Sequence, residues 1–161
     1  MNTDNQHEDR LIDQSAWESV WPFPSPAKSL SFVSGDTESS RIRIAYFHKP
    51  DDDHLFARVW FGPGAEGPSL HAHGGAMASV LDEAMGGACW MRQHQVLAAQ
   101  LSVTFLRPLP LDTHTTVDAW IVAVDGRKVS TRARLLDANS SVVAEAEGLF
   151  IVMKADYLTA R

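Results

Sequence analysis

Hydrophobic and polar residues alternate along most of this chain, and one long segment breaks the alternation. Alternation over short segments predicts half-buried β-strands, and six segments show it: 41–47, 55–61, 99–106, 115–124, 128–136 and 142–153. Between Gly74 and Met91 the apolar residues instead recur at helical spacing, namely Met77, Val80, Leu81, Ala84, Met85 and Ala88. The pattern predicts an α+β fold, an antiparallel sheet with one long helix in the order β-β-α-β-β-β-β.

Turn residues separate the predicted strands. Asp125-Gly126 is a tight-hairpin signal, and 137–140 is a second turn. The aspartates of 49–53 lack the ligand spacing of a calcium loop, so this segment is also a turn. Ahead of the sheet we expect a short helix over 9–20 and a proline-rich extended segment over 21–26, pinned to the domain by its Trp and Phe.

These signals divide the chain into three parts. Residues 1–40 form an N-terminal arm, residues 41–154 form one domain, and residues 155–161 form a tail. A length of 161 residues, 45% of them hydrophobic, suits a single domain with a substantial core.

Two carboxylates interrupt the apolar helix. Asp82 and Glu83 each lie roughly 130° from the centre of the apolar stripe, on opposite sides of it. Apart from Ser79 they are the only polar side chains between Gly74 and Met91, and 86–87 is a pair of glycines. A helix this apolar is covered on most sides, so these carboxylates are either solvated or functional.

The helix begins at His73-Gly74-Gly75. Because glycine has no Cβ, a substrate carbonyl could approach the unpaired N–H groups of the helix start closely. The segment therefore has the outline of an oxyanion site. We expect the His73 ring to hydrogen-bond across the loop and hold the glycines in place.

Composition narrows the classes of partner and compartment. The net charge is −6 and no Lys/Arg run occurs, so we expect no nucleic-acid or membrane partner. Cys89 is the only cysteine, so no intrachain disulfide can form, and this favours a reducing compartment. We expect Cys89 to be a small residue of the core. With no signal-peptide pattern and no apolar run of membrane-spanning length, we expect a soluble, cytoplasmic protein.

The strand order, the His73-Gly74-Gly75 start and Asp82 nine positions after the histidine together resemble the hotdog-fold acyl-CoA thioesterase superfamily. The similarity is to the phenylacetate-degradation-like branch, which carries a His-Gly-Gly motif. Leu106-Arg107-Pro108-Leu109-Pro110-Leu111 also resembles that branch, so the resemblance covers about 41–154.

This resemblance implies a sheet wrapped around the helix and a homodimer with active sites at the subunit interface. Pairing of such dimers into tetramers stays open. The substrate would be a coenzyme A thioester, with no other cofactor and no metal. Asp82 would act as general base or nucleophile, and the Gly75 amide, beside Gly74, would polarise the thioester carbonyl.

One difference from the resembled family concerns the residue that holds the attacking water. Many relatives carry Ser or Thr near the start of the strand after the helix, where this chain has Leu97-Ala98-Ala99-Gln100, so Gln100 is the nearest candidate to hold water. Glu83 is the fallback base. The remaining substrate-binding candidates, for the coenzyme A phosphates, are Arg107, Arg127 and Lys128.

The same residues allow other interpretations. His71-Ala72-His73 could clasp a metal, but the carboxylate expected about four residues on is replaced by Met77 and Ala78. The His-Phe-Pro-Gly string of hotdog dehydratases and the G-x-S-x-G elbow of serine hydrolases are both absent. A non-catalytic acyl-CoA or hydrophobic-ligand binding protein stays open because of Ala98 and Ala99. The sequence does not name the acyl group.

Overall fold

The computed structural model describes residues 12–24 and 31–155. Its helices are a short 3₁₀ helix, Pro63–Ala65, and one long helix, α1 (Gly74–Met91). Its strands are β1 (Glu18–Ser19), β2 (Ile42–His48), β3 (Leu55–Phe61), β4 (Val96–Phe105), β5 (Thr113–Asp125), β6 (Lys128–Leu136) and β7 (Val142–Val152).

All seven strands form one antiparallel sheet in the order β1-β2-β3-β5-β6-β7-β4, and α1 packs across one face of it. The predicted α+β architecture is confirmed, and six of the strands match the predicted segments to within about three residues. The Asp125-Gly126 turn is also confirmed, because it joins β5 to β6 with Gly126 at a φ of +55°. Within the described residues, no helix is both long enough and apolar enough to cross a membrane.

The apolar stripe of α1 is buried against the sheet as predicted, and β7 leaves room for it. Small residues on the helix face of β7 allow this close packing, since Ala144 and Ala146 are buried and a Cβ on Gly148 would lie 3.2 Å from the Met85 Cε. Residues of β4 opposite these small residues, Leu101, Val103 and Phe105, lie on the same face. The sheet therefore has a helix face, covered by α1, and an outer face.

The helix expected over 9–20 is wrong where the structure describes it, and residues 9–11 lie outside the described part. Residues 12–20 contain a turn at 15–16, followed by β1, which pairs with β2. The Trp17 ring stacks on Phe47 and Phe56, with centroids 5.2 Å and 5.1 Å apart, and the Val20 N–H donates to the β2 backbone. Long-range aromatic packing and strand pairing thus outweigh the local helical signal.

The extended segment that follows is pinned to the domain, as predicted, over 21–24. Pro22 is buried, and Trp21 and Phe23 both pack edge-on against Tyr46. The rest of that segment, 25–26, lies outside the described residues. This part of the arm therefore lies on the same side of α1 as Tyr46.

Candidate active site

The start of α1 is shaped by its own capping residue. His73 is the N-cap, and its Nδ1 accepts a hydrogen bond from the Gly75 N–H at 2.8 Å. The preceding loop is fixed from outside, because the Ala72 N–H donates to the Leu109 carbonyl at 2.8 Å. This geometry matches the expectation that the His73 ring holds the glycines in place.

Capping makes the two glycine amides different. The Gly75 N–H is occupied by the His73 ring, whereas no described residue accepts a hydrogen bond from the Gly74 N–H. Both amides lie at the positive end of the helix dipole. A carbonyl arriving at the helix start therefore finds Gly74 free, and it must displace the His73 ring to reach Gly75.

Asp82 is half-buried on α1, and one of its oxygens lacks a partner in the described part of the chain. Its Oδ1 is buried, and among the described residues nothing donates a hydrogen bond to it. Burial raises the pKa of the Asp82 carboxyl above its usual value, and the neighbouring charge of Glu83 raises it further. A desolvated carboxylate without a partner is costly, and such groups cluster at functional sites.

Glu83 is the opposite case. Its Oε1 accepts a hydrogen bond from the Tyr46 hydroxyl at 2.8 Å, and its Oε2 accepts one from the Ser31 hydroxyl at 2.9 Å. Burial, followed by the charge and hydrogen bond of Glu83, raises the pKa of Tyr46 well above its usual value. Glu83 thus ties β2 and the segment around Ser31 to α1, and both of its oxygens are already engaged.

Two clefts flank the helix start. The first, of about 310 Å³, lies beside Gly74 and includes Phe105, Leu106 and Arg107. The second, of about 400 Å³, lies beside Gly75 and has mainly apolar walls that include Phe32, Ile42 and Ala76. The structure therefore brings Gly74, Gly75, His73 and Arg107 together at one end of α1.

Gln100 lies elsewhere. A register shift between Ala98 and Gln100 in the β4–β7 pairing places Gln100 in line with Ser102, which pairs with Glu147 on the outer face. Gln100 lines an outer-face cleft with Arg132 and Glu147. Nothing in the geometry of this subunit supports its predicted role in holding the attacking water.

Arg127 and Lys128 are also distant from the helix start. The Arg127 Nε donates to the Val152 carbonyl at 3.0 Å, and Val152 pairs with Val96 at the beginning of β4. The helix start adjoins the other end of β4, where the Phe105 ring would lie 3.3 Å from a Cβ on Gly74. These two cations therefore lie at the opposite end of the same sheet.

The described residues contain no group of three or more His, Cys, Asp or Glu side chains that could hold a metal. The His71 Nδ1 is hydrogen-bonded to the Ser69 carbonyl at 2.8 Å, and His73 caps α1.

Cys89 is a buried residue of α1. Burial raises the pKa of its thiol to about 12, which suits the predicted role as a core residue.

Sequence reasoning missed two further features. Tyr46 and Ser31 were not predicted to contact the helix, and β4 is an edge strand with exposed apolar side chains on it and just after it: Leu97, Leu101, Phe105 and Leu106. The unusually apolar composition of β4 was a signal for the second feature. No local signal pointed to the first, because its contacts span long stretches of chain.

Comparison with known proteins shows which family the chain resembles. The model of the thioesterase superfamily matches residues 71–144, from the loop before α1 into β7. Over this stretch the chain is similar to the thioesterase superfamily. Its antiparallel sheet and single long helix are the hotdog fold, as the resemblance implied.

Among the relatives of this chain is the acyl-coenzyme A thioesterase THEM4 of Xenopus laevis, 33% identical over 133 residues. That match takes in 82% of this chain and 60% of the relative, so the chain spans less than two thirds of the relative's length. A thioesterase superfamily protein of known crystal structure is 31% identical, with a TM-score of 0.65 over 68% of this chain and 53% of its own.

A second solved structure is a hypothetical thioesterase from Streptococcus pneumoniae, crystallised with coenzyme A. It is 18% identical, with a TM-score of 0.63 over 70% of this chain and 86% of its own. At this identity the likeness shows the shared fold.

Proposed function

We propose that this protein hydrolyses acyl-CoA thioesters, with Asp82 as general base or nucleophile. The observation that carries the proposal is the buried Asp82 Oδ1, which has no hydrogen-bond donor among the described residues, on a helix whose start presents the Gly74 N–H. The THEM4 relative, named an acyl-coenzyme A thioesterase, supports the substrate class. The His73-Gly74-Gly75 motif favours the phenylacetate-degradation-like branch.

In the proposed chemistry, backbone N–H groups polarise the thioester carbonyl. The Gly74 N–H is free to do so, and the Gly75 N–H joins it when the His73 ring turns away from its cap. Each such donor is worth about 10²–10³-fold in comparable sites. The helix dipole adds to the stabilisation of the developing oxyanion.

Asp82 then supplies the base. It takes a proton from water as the water oxygen attacks the carbonyl carbon, and the tetrahedral intermediate expels the coenzyme A thiolate, which takes that proton back. If Asp82 attacks directly, its carboxylate oxygen bonds to the carbonyl carbon and the C–S bond breaks, which releases the coenzyme A thiolate and leaves a mixed anhydride. Water then hydrolyses the anhydride to the acid and the Asp82 carboxylate, and a proton of that water goes to the thiolate. Base catalysis of this kind contributes about 10²–10⁴-fold.

The distance along α1 requires a second subunit. Asp82 follows Gly74 by eight residues, so a rise of 1.5 Å per residue separates them by roughly 12 Å along the helix. One carbonyl cannot contact both groups of the same chain. We therefore propose a homodimer in which Asp82 of one subunit faces the glycine amides of the other, joined through the exposed apolar β4 edge.

The proposed homodimer also decides which basic side chains can bind the coenzyme A phosphates. Arg107 lines the cleft beside Gly74 and is the candidate within the same subunit. Arg127 and Lys128, at the far end of the sheet, can serve only a site to which the other subunit contributes.

Cys89, buried and without a disulfide, suits the cytoplasmic location that we propose.

The decisive experiment compares Asp82→Asn, Glu83→Gln and Glu145→Gln in a thiol-release assay on a panel of acyl-CoA substrates. We expect Asp82→Asn to lower kcat/KM by about 10²–10⁴-fold and Glu83→Gln to cause a smaller loss, because hydroxyl donors already hold Glu83. Glu145 is an exposed carboxylate on the outer face, so its variant serves as the unchanged control. A dimeric, fully active Asp82→Asn variant rules the assignment out.

One alternative has a specific observation behind it. The start of β4 carries Ala98 and Ala99, neither of which can hold a water molecule. A protein that binds acyl-CoA tightly in titration calorimetry yet releases no thiol would be a binding module of the same fold.

A further inference from the structure

A short segment before the sheet is fixed in place but presents an aromatic ring outward. In residues 31–34, Val33 and Ser34 are buried, and the Ser34 hydroxyl donates to the Ser31 oxygen at 3.1 Å. Ser31 in turn donates to Glu83 of α1. Between these anchored residues the Phe32 side chain is 84% exposed. Anchoring on both sides means that fraying does not explain this exposure.

Phe32 faces the helix start. It lines the cleft of about 400 Å³ that also contains Gly75, Ala76 and Ser79 of α1, with Ile42 and Ala65 on the sheet side. The cleft therefore extends from a proposed oxyanion amide to an exposed phenylalanine, along mainly apolar walls. Its size and lining suit an extended apolar group.

We propose that residues 31–34 form the distal wall of the acyl subsite, and that Phe32 selects extended apolar acyl groups over acetyl. The inference rests on the proposed function and deepens it by naming the substrate class. The wall lies outside the stretch that matches the family model, which begins at residue 71. It thus belongs to the N-terminal part of the chain, ahead of the stretch that the family model matches.

Charge distinguishes the two clefts. Coenzyme A carries phosphates, and the Gly74 cleft offers Arg107 without an acidic residue in its lining. The Phe32 cleft has Arg41 and Glu66 at its exposed rim, so opposite charges offset each other there and the interior is apolar. The phosphates therefore belong with Arg107, and the acyl group with Phe32.

Glu83 is the positioning residue for this wall. It accepts hydrogen bonds from buried Tyr46 on one oxygen and from Ser31 on the other, which fixes the segment relative to α1. Each methylene buried against the wall is worth about fourfold in kcat/KM. The preference for long acyl chains should therefore depend on the wall staying in place.

The test measures kcat and KM for acetyl-, hexanoyl- and decanoyl-CoA with the full chain and its variants. For the wild type, kcat/KM should rise with chain length. Phe32→Ala should lower the decanoyl-CoA value about tenfold, mainly through KM, because an aromatic contact is lost, and should lower the acetyl-CoA value much less. Phe32→Leu should restore most of the preference, and Ser31→Ala should weaken it in the same direction.

Val122→Ala is the matched control, since Val122 is another exposed apolar residue but lies on β5 at the outer-face cleft and does not line the Phe32 cleft. A wild type that hydrolyses none of the three substrates contradicts the proposed function itself. A wild type that hydrolyses them, with an unchanged chain-length profile in Phe32→Ala, overturns only the wall. Equal losses on all three substrates together with dimer dissociation would make Phe32 a subunit contact and would also overturn the wall.

Discussion

Asp82 and Glu83 are adjacent on α1 and meet opposite environments. Glu83 receives two hydroxyl donors, while the Asp82 Oδ1 is buried with no donor in the described chain. Burial, and then the charge of Glu83, raises the pKa of Asp82 above 3.8. The ionised Asp82 therefore costs folding free energy, and the cost is absent below pH 3.8 and complete above the raised pKa.

It follows that Asp82→Asn should stabilise the fold while removing activity. We expect a higher Tm than wild type at neutral pH, with the gain shrinking as the pH falls through the raised pKa of Asp82, as measured by thermal unfolding across the acid range. Asp118→Asn is the matched comparison, because buried Asp118 is held by His54 at 2.6 Å and by Arg134 at 3.1 Å, and its Tm should fall. A lower Tm for Asp82→Asn at every pH would contradict the cost assigned to this carboxylate.

The sequence located both carboxylates but could not tell them apart. Helical periodicity placed each of them off the apolar stripe, which the structure confirms. Their difference depends on donors 37 and 52 residues away, Tyr46 and Ser31. Local patterns carry no information on such contacts, so this part of the site required the fold.

At the scale of the helix, its two adjacent glycines have different surroundings. A Cβ on Gly87 would lie 2.7 Å from the Leu55 Cδ2 and 3.2 Å from the Pro22 Cγ, whereas a Cβ on Gly86 would meet only the Phe150 ring, at an ordinary 3.5 Å. Adjacent glycines inside a helix are expected where another backbone packs closely. Side chains of β3 and of the arm in fact pack against one of them.

This contrast predicts opposite effects of one substitution. Gly86→Ala should stabilise the protein by about 0.5–1 kcal/mol, because alanine loses less backbone entropy in a helix and meets no obstruction. Gly87→Ala should destabilise it, because Leu55 is fully buried and cannot move away cheaply. Urea denaturation of the two variants checks the pair, and equal effects of the same sign would contradict the packing described.

Elements were predictable where local pattern and tertiary contact agree. The six main strands and α1 combine regular periodicity with clear turn residues, so the sequence located them closely. In the arm the local pattern and the tertiary contacts disagree. Residues 12–20 have helical spacing, but the stacking of Trp17 on Phe47 and Phe56 holds this segment against the sheet, and it does not form a helix. The face on which Gln100 lies could not be predicted for a similar reason, since a register shift in β4 sets it.

At the scale of the whole molecule, one chain holds two halves of a proposed site. The glycine amides and Asp82 lie roughly 12 Å apart along a single rigid helix, and β4 is an edge strand with exposed Leu97, Leu101 and Phe105. A two-fold axis near this edge would pair each half with its complement. The proposed active site therefore belongs to the proposed dimer and not to one subunit.

Complementation between inactive variants tests this arrangement. Asp82→Asn removes the base and Gly75→Val obstructs the amides, so each homodimer should be inactive. Random mixing after unfolding and refolding makes half of the dimers mixed, and each mixed dimer has one intact and one doubly defective site, which restores about a quarter of wild-type activity. If both groups act within one chain, every subunit of a mixed dimer stays defective and no activity returns. Circular dichroism and gel filtration of each parent variant establish that both fold and dimerise, so that a failure to recover activity would count against the shared site.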